Sequence, residues 1–210
     1  MDLTTATKYA TQIVAWLAPF CDRIQIAGSV RRQRPVCNDI DLVVIPKFGP
    51  APTDLFGNMN GLPPNTLHNA LVNYVKDYNS ALRPLRPSVE SAPRWQAGEH
   101  NPDGTNFILQ LPKCQLDIYI ATHENWGSKL LQRTGSKEHN VWLATRARDL
   151  GLRWELDAGL TGPTCPTIGD TEENIYAALG VTFIPPADRE PGRLDRFVQP
   201  PVQHTRSEPL

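Results

Sequence analysis

Two aspartates one residue apart stand at the head of an apolar run, Asp39-Ile40-Asp41-Leu42-Val43-Val44-Ile45. In a β-strand alternate side chains share a face, so both carboxylates point the same way. Such a pair repels and resists ionisation unless a cation sits between them. Oxygen ligands of this kind suit Mg²⁺ or Mn²⁺ rather than zinc. An Asp-x-Asp in a surface loop is commonplace and chemically silent, but in an apolar strand unpaired charge is costly, which favours the metal reading. Upstream, Gly28-Ser29-Val30-Arg31-Arg32 supplies a hydroxyl, backbone amides and arginines, the materials of a phosphate cradle. Asp117 adds a third carboxylate within Gln115 to Ala121, where Leu116, Ile118 and Ile120 take one face and Asp117 and Tyr119 the other. Three carboxylates on adjacent strands are what two divalent ions about 3.5–4 Å apart require.

The elements that must position these residues are readable from periodicity. Residues 4 to 19 form a helix whose stripe is Ala6, Tyr9, Ala10, Ile13, Leu17 and Phe20. A strand from Arg23 to Ala27 delivers Gly28-Ser29, and the strand from Asp39 to Ile45 stops at Pro46. Residues 47 to 64 are loop-like, and their Asp54-Leu55-Phe56-Gly57 is either a substrate lid or a connector. Asn65 caps a helix with Leu67, Leu71, Tyr74, Val75 and Tyr78 inward. Strands are expected at 94–97, 106–111 and 115–121, the first two separated by the turn Asn101-Pro102-Asp103-Gly104. Helices follow at 124–133 and 136–150, the latter capped by Ser136. A small strand pair then forms around Trp154, Leu156 and Leu160. A last helix spans Asp170 to Gly180, with Asp170 and Glu173 at capping-box spacing.

The 210 residues, 40% apolar and 20% charged, describe an ordinary globular chain with enough length for a core. No apolar run nears the roughly 20 residues of a membrane span. Signal-peptide features are missing, so no membrane partner is expected and cytoplasmic residence is the default. The four cysteines are widely spaced, which disfavours zinc and fits reduced thiols. Net charge is −1, yet residues 129–153 hold six cations (Lys129, Arg133, Lys137, Arg146, Arg148, Arg153) against Glu138 and Asp149. That is either a solvated helix face or a phosphate-tracking surface. The five histidines have no metal spacing and read as surface or capping residues, with His139 beside Asn140 open to substrate. Trp126 and Trp142 read as core.

Gly28-Ser29-Val30-Arg31-Arg32, Asp39-Ile40-Asp41 and Asp117 resemble the catalytic palm of the polymerase beta superfamily of nucleotidyltransferases. Arg133-Thr134-Gly135-Ser136-Lys137-Glu138-His139-Asn140 resembles the T-G-S-x-x-x-N segment of family X DNA polymerases, and residues 179–190 resemble that family's ending. The resemblance covers about residues 20 to 190. It implies an α+β fold, with a palm at 1–122 (a mixed sheet with packed helices), a small mostly helical nucleotide- and base-pair-binding unit at 123–190 and a disordered tail at 191–210. It implies that Asp39 and Asp41 bind two Mg²⁺ ions (Mn²⁺ substituting) and that Asp117 holds only the catalytic one. It also implies that Gly28, Ser29, Arg32 and Asn38 serve the nucleotide phosphates, with Arg31 a weaker candidate that pairs with the sheet. Thr134 and Gly135 approach the sugar, and Asn140 approaches the base edge. The implied partners are a nucleoside triphosphate and a DNA primer–template.

Departures from the family pattern sharpen the reading. Asn38 replaces a common glycine before the first aspartate, and Gln132 and Arg133 stand where aromatic residues often meet the sugar, which leaves deoxy- against ribonucleotide choice open. Lys137 stands where an acid is frequent. Only one helix precedes Gly28, so no amino-terminal lyase or helix-hairpin-helix clamp is expected. DNA binding is then expected to be weak, salt-sensitive and distributive. The leading expectation is a minimal, monomeric, template-using family X polymerase, of a size typical of compact viral or mobile-element enzymes, with DNA repair as its setting and the host cytoplasm as its location if it is viral. The alternatives are a template-independent transferase acting on RNA, protein or a small molecule, and a degenerate palm acting only as a binding module.

Overall fold

The computed structural model of the chain describes residues 1–61, 63–81, 95–97, 106–111, 113–155, 158–163, 165–191, 194 and 197. Helix α1 spans Leu3–Leu17, and Asp2 caps it by accepting a hydrogen bond from the Thr5 amide at 2.9 Å. The helix begins one residue earlier than its periodicity predicts and passes at Ala18–Phe20 into a 3₁₀ turn, with Pro19 inside that turn. Strand β1 (Cys21–Ile26) starts two residues before the expected boundary. A four-residue helix α2 (Gly28–Arg31) follows, and β2 (Asp39–Pro46) includes the proline expected to end it. Helix α3 (Thr66–Ala81) is capped by Asn65, whose side-chain oxygen accepts from the His68 amide at 3.0 Å. The expected inward residues Val75 and Tyr78, and the turn at 101–104, lie outside the described side chains and residues.

Strands β3 (Trp95–Ala97), β4 (Asn106–Gln110) and β5 (Gln115–Ile120) complete a mixed five-stranded sheet of order β1-β2-β5-β4-β3. The decisive pairing is β2 with β5, the one parallel pair, which sets Asp41 opposite Asp117 and Asp39 opposite Gln115. Alternation then divides the sheet. One face carries Ile40, Leu42, Val44, Leu116 and Ile118, which pack under α1 and α3 with Ala6, Ala10, Leu17, Leu67 and Leu71, all of them buried. Each large apolar side chain hidden there contributes about 1.5–3 kcal/mol, so this face fixes the register by which the other face receives its carboxylates.

That second face is apolar only at its far end. Val43, Ile45 and Ala121 meet Trp126 and Leu130 of α4 (Trp126–Thr134). Leu131, on another side of the same helix, belongs to a separate C-terminal core with Leu143 and Ala147 of α5 (Lys137–Asp149) and Ile175 and Tyr176 of α6 (Glu172–Ala178). Helix α4 therefore belongs to both halves. Beside it stand β6 (Arg153–Glu155), β7 (Gly159–Gly162) and β8 (Cys165–Ile168), a three-stranded sheet where the sequence suggested a pair. Ser136 caps α5 as expected, but the cap of α6 is Thr171, which accepts from the Asn174 amide at 3.1 Å, rather than Asp170. Leu194 and Phe197 pack on the C-terminal core, so apolar packing runs past residue 190, where disorder was expected to begin. No described helix is long and apolar enough to cross a membrane.

The basic run at 129–153 does not form one face. Lys129 is buried, Arg146 donates to the Leu179 carbonyl at 3.0 Å, and Arg148 and Arg153 are exposed. Trp126 and Trp142 are core residues as read from their spacing, whereas His139 is wholly buried rather than at the surface.

The start of α4 is held closely against the segment that opens α6. The Gly127 amide donates to the Asp170 carbonyl at 3.1 Å, and a methyl group at Gly127 would lie 2.2 Å from the Thr171 carbonyl carbon. Backbone on both sides leaves no soft way out. Gly127→Ala is expected to lower unfolding stability by about 1–3 kcal/mol in urea denaturation. A midpoint equal to that of the parent would contradict this packing.

Candidate active site

A cavity of about 560 Å³ opens between the large sheet and the C-terminal half, and its wall contains Gly28, Ser29, Arg32, Asp39, Asp41, Thr134, Gly135 and Asn140. Eight of the ten residues proposed from sequence for catalysis or nucleotide contact thus share one space. Asp117 is outside the lining and lies opposite Asp41 in the sheet. Asn38 is exposed and outside the lining. Gln132, Arg133, Lys137, Val141 and Ala144 complete the cavity.

The Gly28 turn is shaped by the carboxylate beneath it. Gly28 has φ +57°, and a Cβ there would lie 1.8 Å from Asp41 Oδ2. Only glycine allows the backbone to pass this close to the acid. The Ala27 amide donates to the Asp41 carbonyl at 2.8 Å, which ties the turn to β2. Ser29 Oγ is buried and has no hydrogen-bond partner among the described residues. A buried hydroxyl is costly to leave unpaired, and its place in the cavity wall marks it for a ligand.

The carboxylates bear the strain of proximity. Burial, then the charges of Asp39 and Asp117, raise Asp41 from an ordinary 3.8 to about 7, against a smaller downward pull from Arg32 and Arg133. Burial also raises Asp117, opposed by the 2.8 Å hydrogen bond that Gln115 Nε2 donates to its Oδ1. The Tyr119 hydroxyl reaches Asp117 Oδ2 at 3.4 Å, so both oxygens of Asp117 have protein partners. Among the described residues no three His, Cys, Asp or Glu side chains close on one point as a finished metal cage. The donor chemistry still fits a hard divalent ion: the set is all oxygen, and the crowding that lifts Asp41 would be relieved by a cation.

The two neighbouring arginines do different work. Arg31 does not pair with the sheet. It forms a two-pronged ion pair with Glu172 at 2.8 and 2.7 Å and donates to Thr134 Oγ1 at 2.8 Å. Glu172 also accepts from Arg189 at 2.8 Å. Burial raises the Glu172 carboxyl, but the hydrogen bonds from Arg31 and Arg189 outweigh it and hold the group below its ordinary 4.5. Arg32 donates to the Thr134 carbonyl and pairs with Glu190 at 3.3 Å, while Arg34 meets the other oxygen of Glu190 at 3.1 Å. Asn140 Nδ2 donates to the Gln132 carbonyl at 2.8 Å. His139 shares a 2.8 Å hydrogen bond with the Tyr176 hydroxyl, and burial, with Arg189 nearby, lowers it to about 3. It is buried and outside the cavity wall.

Sequence reasoning missed Glu172, Arg189 and Tyr119. Glu172 carried a signal, as an acid in the first turn of a helix, but nothing local reveals that two arginines converge on it.

Comparison with known proteins agrees with this architecture. The family described as DNA polymerase beta thumb matches residues 129–190. No curated protein matches the chain. Among solved structures, Leishmania infantum polymerase beta in a ternary P/T complex aligns with a TM-score of 0.57 and 15% identity, over 91% of this chain and 77% of that one. Residues 129–190 thus match a polymerase beta thumb, and the fold of the chain resembles that of polymerase beta.

The charge balance has a pH signature in metal-free buffer. A carboxyl raised in the folded state stabilises below its unfolded pKa, and that contribution is lost as pH rises through the folded value. Asp41 therefore makes stability fall between pH 3.8 and about 7. Glu172, lowered on folding, has the opposite slope, but on the acid side of 4.5. Asp41→Asn is expected to flatten the decline from about pH 5 to 7 in urea denaturation with chelator present. Parallel curves for the two proteins would refute the assignment.

Proposed function

We propose that this chain is a minimal, DNA-directed DNA polymerase that adds a nucleotide to a primer 3′-hydroxyl and releases pyrophosphate. The observation that carries the proposal is the shared cavity. It brings the paired aspartates of β2, the Gly28-Ser29 turn and the thumb's Thr134, Gly135 and Asn140 into one space large enough for a nucleotide. Asp39, Asp41 and Asp117 are the residues that would hold Mg²⁺, two ions with Mn²⁺ able to substitute. When bound, the metal neutralises phosphate charge and eases deprotonation of the attacking hydroxyl.

The chain's own residues supply the rest. The Ser29 hydroxyl, unpaired in its buried position, donates to a phosphate oxygen. Arg32 exchanges the Glu190 carboxylate for phosphate, one anion for another, at little cost in lost charge pairing. Thr134 and Gly135 present backbone to the sugar, and Asn140, steadied by the Gln132 carbonyl, faces the base side of the cavity. Primer–template partners the site weakly and distributively in this reading, since the cations of residues 129–153 are divided between core, cavity and surface rather than gathered on one face.

Primer extension with Mg²⁺ or Mn²⁺ tests the reading. With single nucleotides, incorporation is expected to follow the template base. Asp117→Ala is expected to lose at least about 10²-fold in rate, as for removal of one pre-organised transition-state group. Indifferent tailing without template would instead make the protein a template-independent transferase, and undiminished activity in Asp117→Ala would sink the metal assignment.

A further inference from the structure

Arg133 stands where its charge has no obvious employment. Its guanidinium carbon lies 3.9 Å over the ring of Tyr119, and its Nε is buried without a hydrogen-bond partner in the wall of the catalytic cavity. The other arginines of the site are committed to carboxylates. Arg31 belongs to Glu172, Arg32 and Arg34 belong to Glu190, and Lys137 is exposed. Among the described residues Arg133 makes no ion pair with a carboxylate, although three of them crowd the same face of the sheet. What holds it is the ring, and the Tyr119 hydroxyl in turn reaches Asp117 Oδ2 at 3.4 Å.

We propose that Arg133 is a built-in counter-cation of the aspartate cluster, held on Tyr119 so that it offsets the cluster's charge without occupying the oxygens that a metal needs. The inference rests on reading Asp39, Asp41 and Asp117 as the metal-holding residues. A direct ion pair would neutralise the acids equally well but would block them. A guanidinium parked on an aromatic face keeps its full charge, because the stacking satisfies it through the ring's quadrupole rather than through an anion. The downward pull that Arg133 exerts on both Asp41 and Asp117 agrees with this placement. The consequence is a trade. The metal-free site stays assembled despite three neighbouring carboxylates, and each arriving cation meets a resident positive charge that weakens its binding.

Titration of the full chain with Mn²⁺ alone, counting free ion by its electron paramagnetic resonance signal, tests this without any turnover. Arg133→Gln is expected to bind Mn²⁺ roughly five- to tenfold more tightly than the parent, the effect of removing one charge near a divalent ion in a partly hydrated site. Arg133→Lys, which keeps the charge, is expected within about twofold of the parent. Thermal melts separate this from loss of packing. The metal-free Arg133→Gln protein should melt lower than the parent, and Mn²⁺ should raise its melting temperature by more than it raises the parent's. Unchanged or weaker Mn²⁺ binding in Arg133→Gln overturns the proposal, as does an equal fall in melting temperature with and without the ion. Mn²⁺ binding by the parent that Asp41→Asn does not abolish overturns the metal assignment itself, and this inference with it.

Discussion

A buried carboxylate held by two guanidiniums joins the halves of this molecule. Glu172 is 4% exposed and Arg189 is not exposed at all, while Arg31 reaches them from the turn that follows β1. Ion pairs in apolar surroundings repay their desolvation only when geometry is good and the remaining polar atoms are satisfied. Here the two-pronged Arg31 contact, the Arg189 contact and the Arg189 Nε bond to the Ile184 carbonyl at 3.0 Å meet most of that condition. One Arg189 nitrogen stays unpaired. The rings of Tyr176 and Phe183 lie 5.6 and 5.7 Å from the Arg189 guanidinium and supply a softer partner. The arrangement is directional as well as attractive. It sets where α6 stands relative to α2, and therefore where α4 and the start of α5 wall the cavity.

The aspartate cluster works in the other direction, since it costs stability. Its residues are forced together by the register of β2 on β5, and that register is fixed by the apolar side chains on the opposite face of the same strands. A sheet cannot slip by one residue to relieve the crowding without turning Ile40, Leu42 and Val44 to the cavity. The core thus pins acids in a place they would not choose, and the raised Asp41 is the local record of that conflict. Sites that do chemistry are where such conflicts are expected to persist.

Much of this was legible in the chain and some was not, for physical reasons. Period-two alternation exposes Asp39, Asp41 and Asp117 because each strand buries its other face. Ser136 is legible because a cap is decided within four residues. The pairing of Asp41 with Asp117 is not, since parallel register depends on 70-odd intervening residues and on the helices above the sheet. Likewise the partner of Arg31 lies 141 positions away, and a short-range reading could only assign it to the nearest sheet. His139 was misplaced for the same reason. Its neighbours in sequence are polar, but its neighbours in space are Tyr176 and Arg189. Thr171 took the cap from Asp170 because both residues are competent and the choice rests on how α6 docks.

Thr134 is held at both its hydroxyl and its carbonyl. Its hydroxyl accepts from Arg31 and its carbonyl from Arg32, so the last residue of α2 and the residue that follows it grip both ends of a single residue of the C-terminal half. The two grips differ in strength. Arg31 is further anchored by two bonds to a buried acid, whereas Arg32 shares the half-exposed Glu190 with Arg34. A phosphate arriving beside Ser29 competes only for the weaker grip. Nucleotide entry in the proposed reaction can therefore release Glu190 from Arg32 and leave the Arg31–Glu172–Arg189 joint intact.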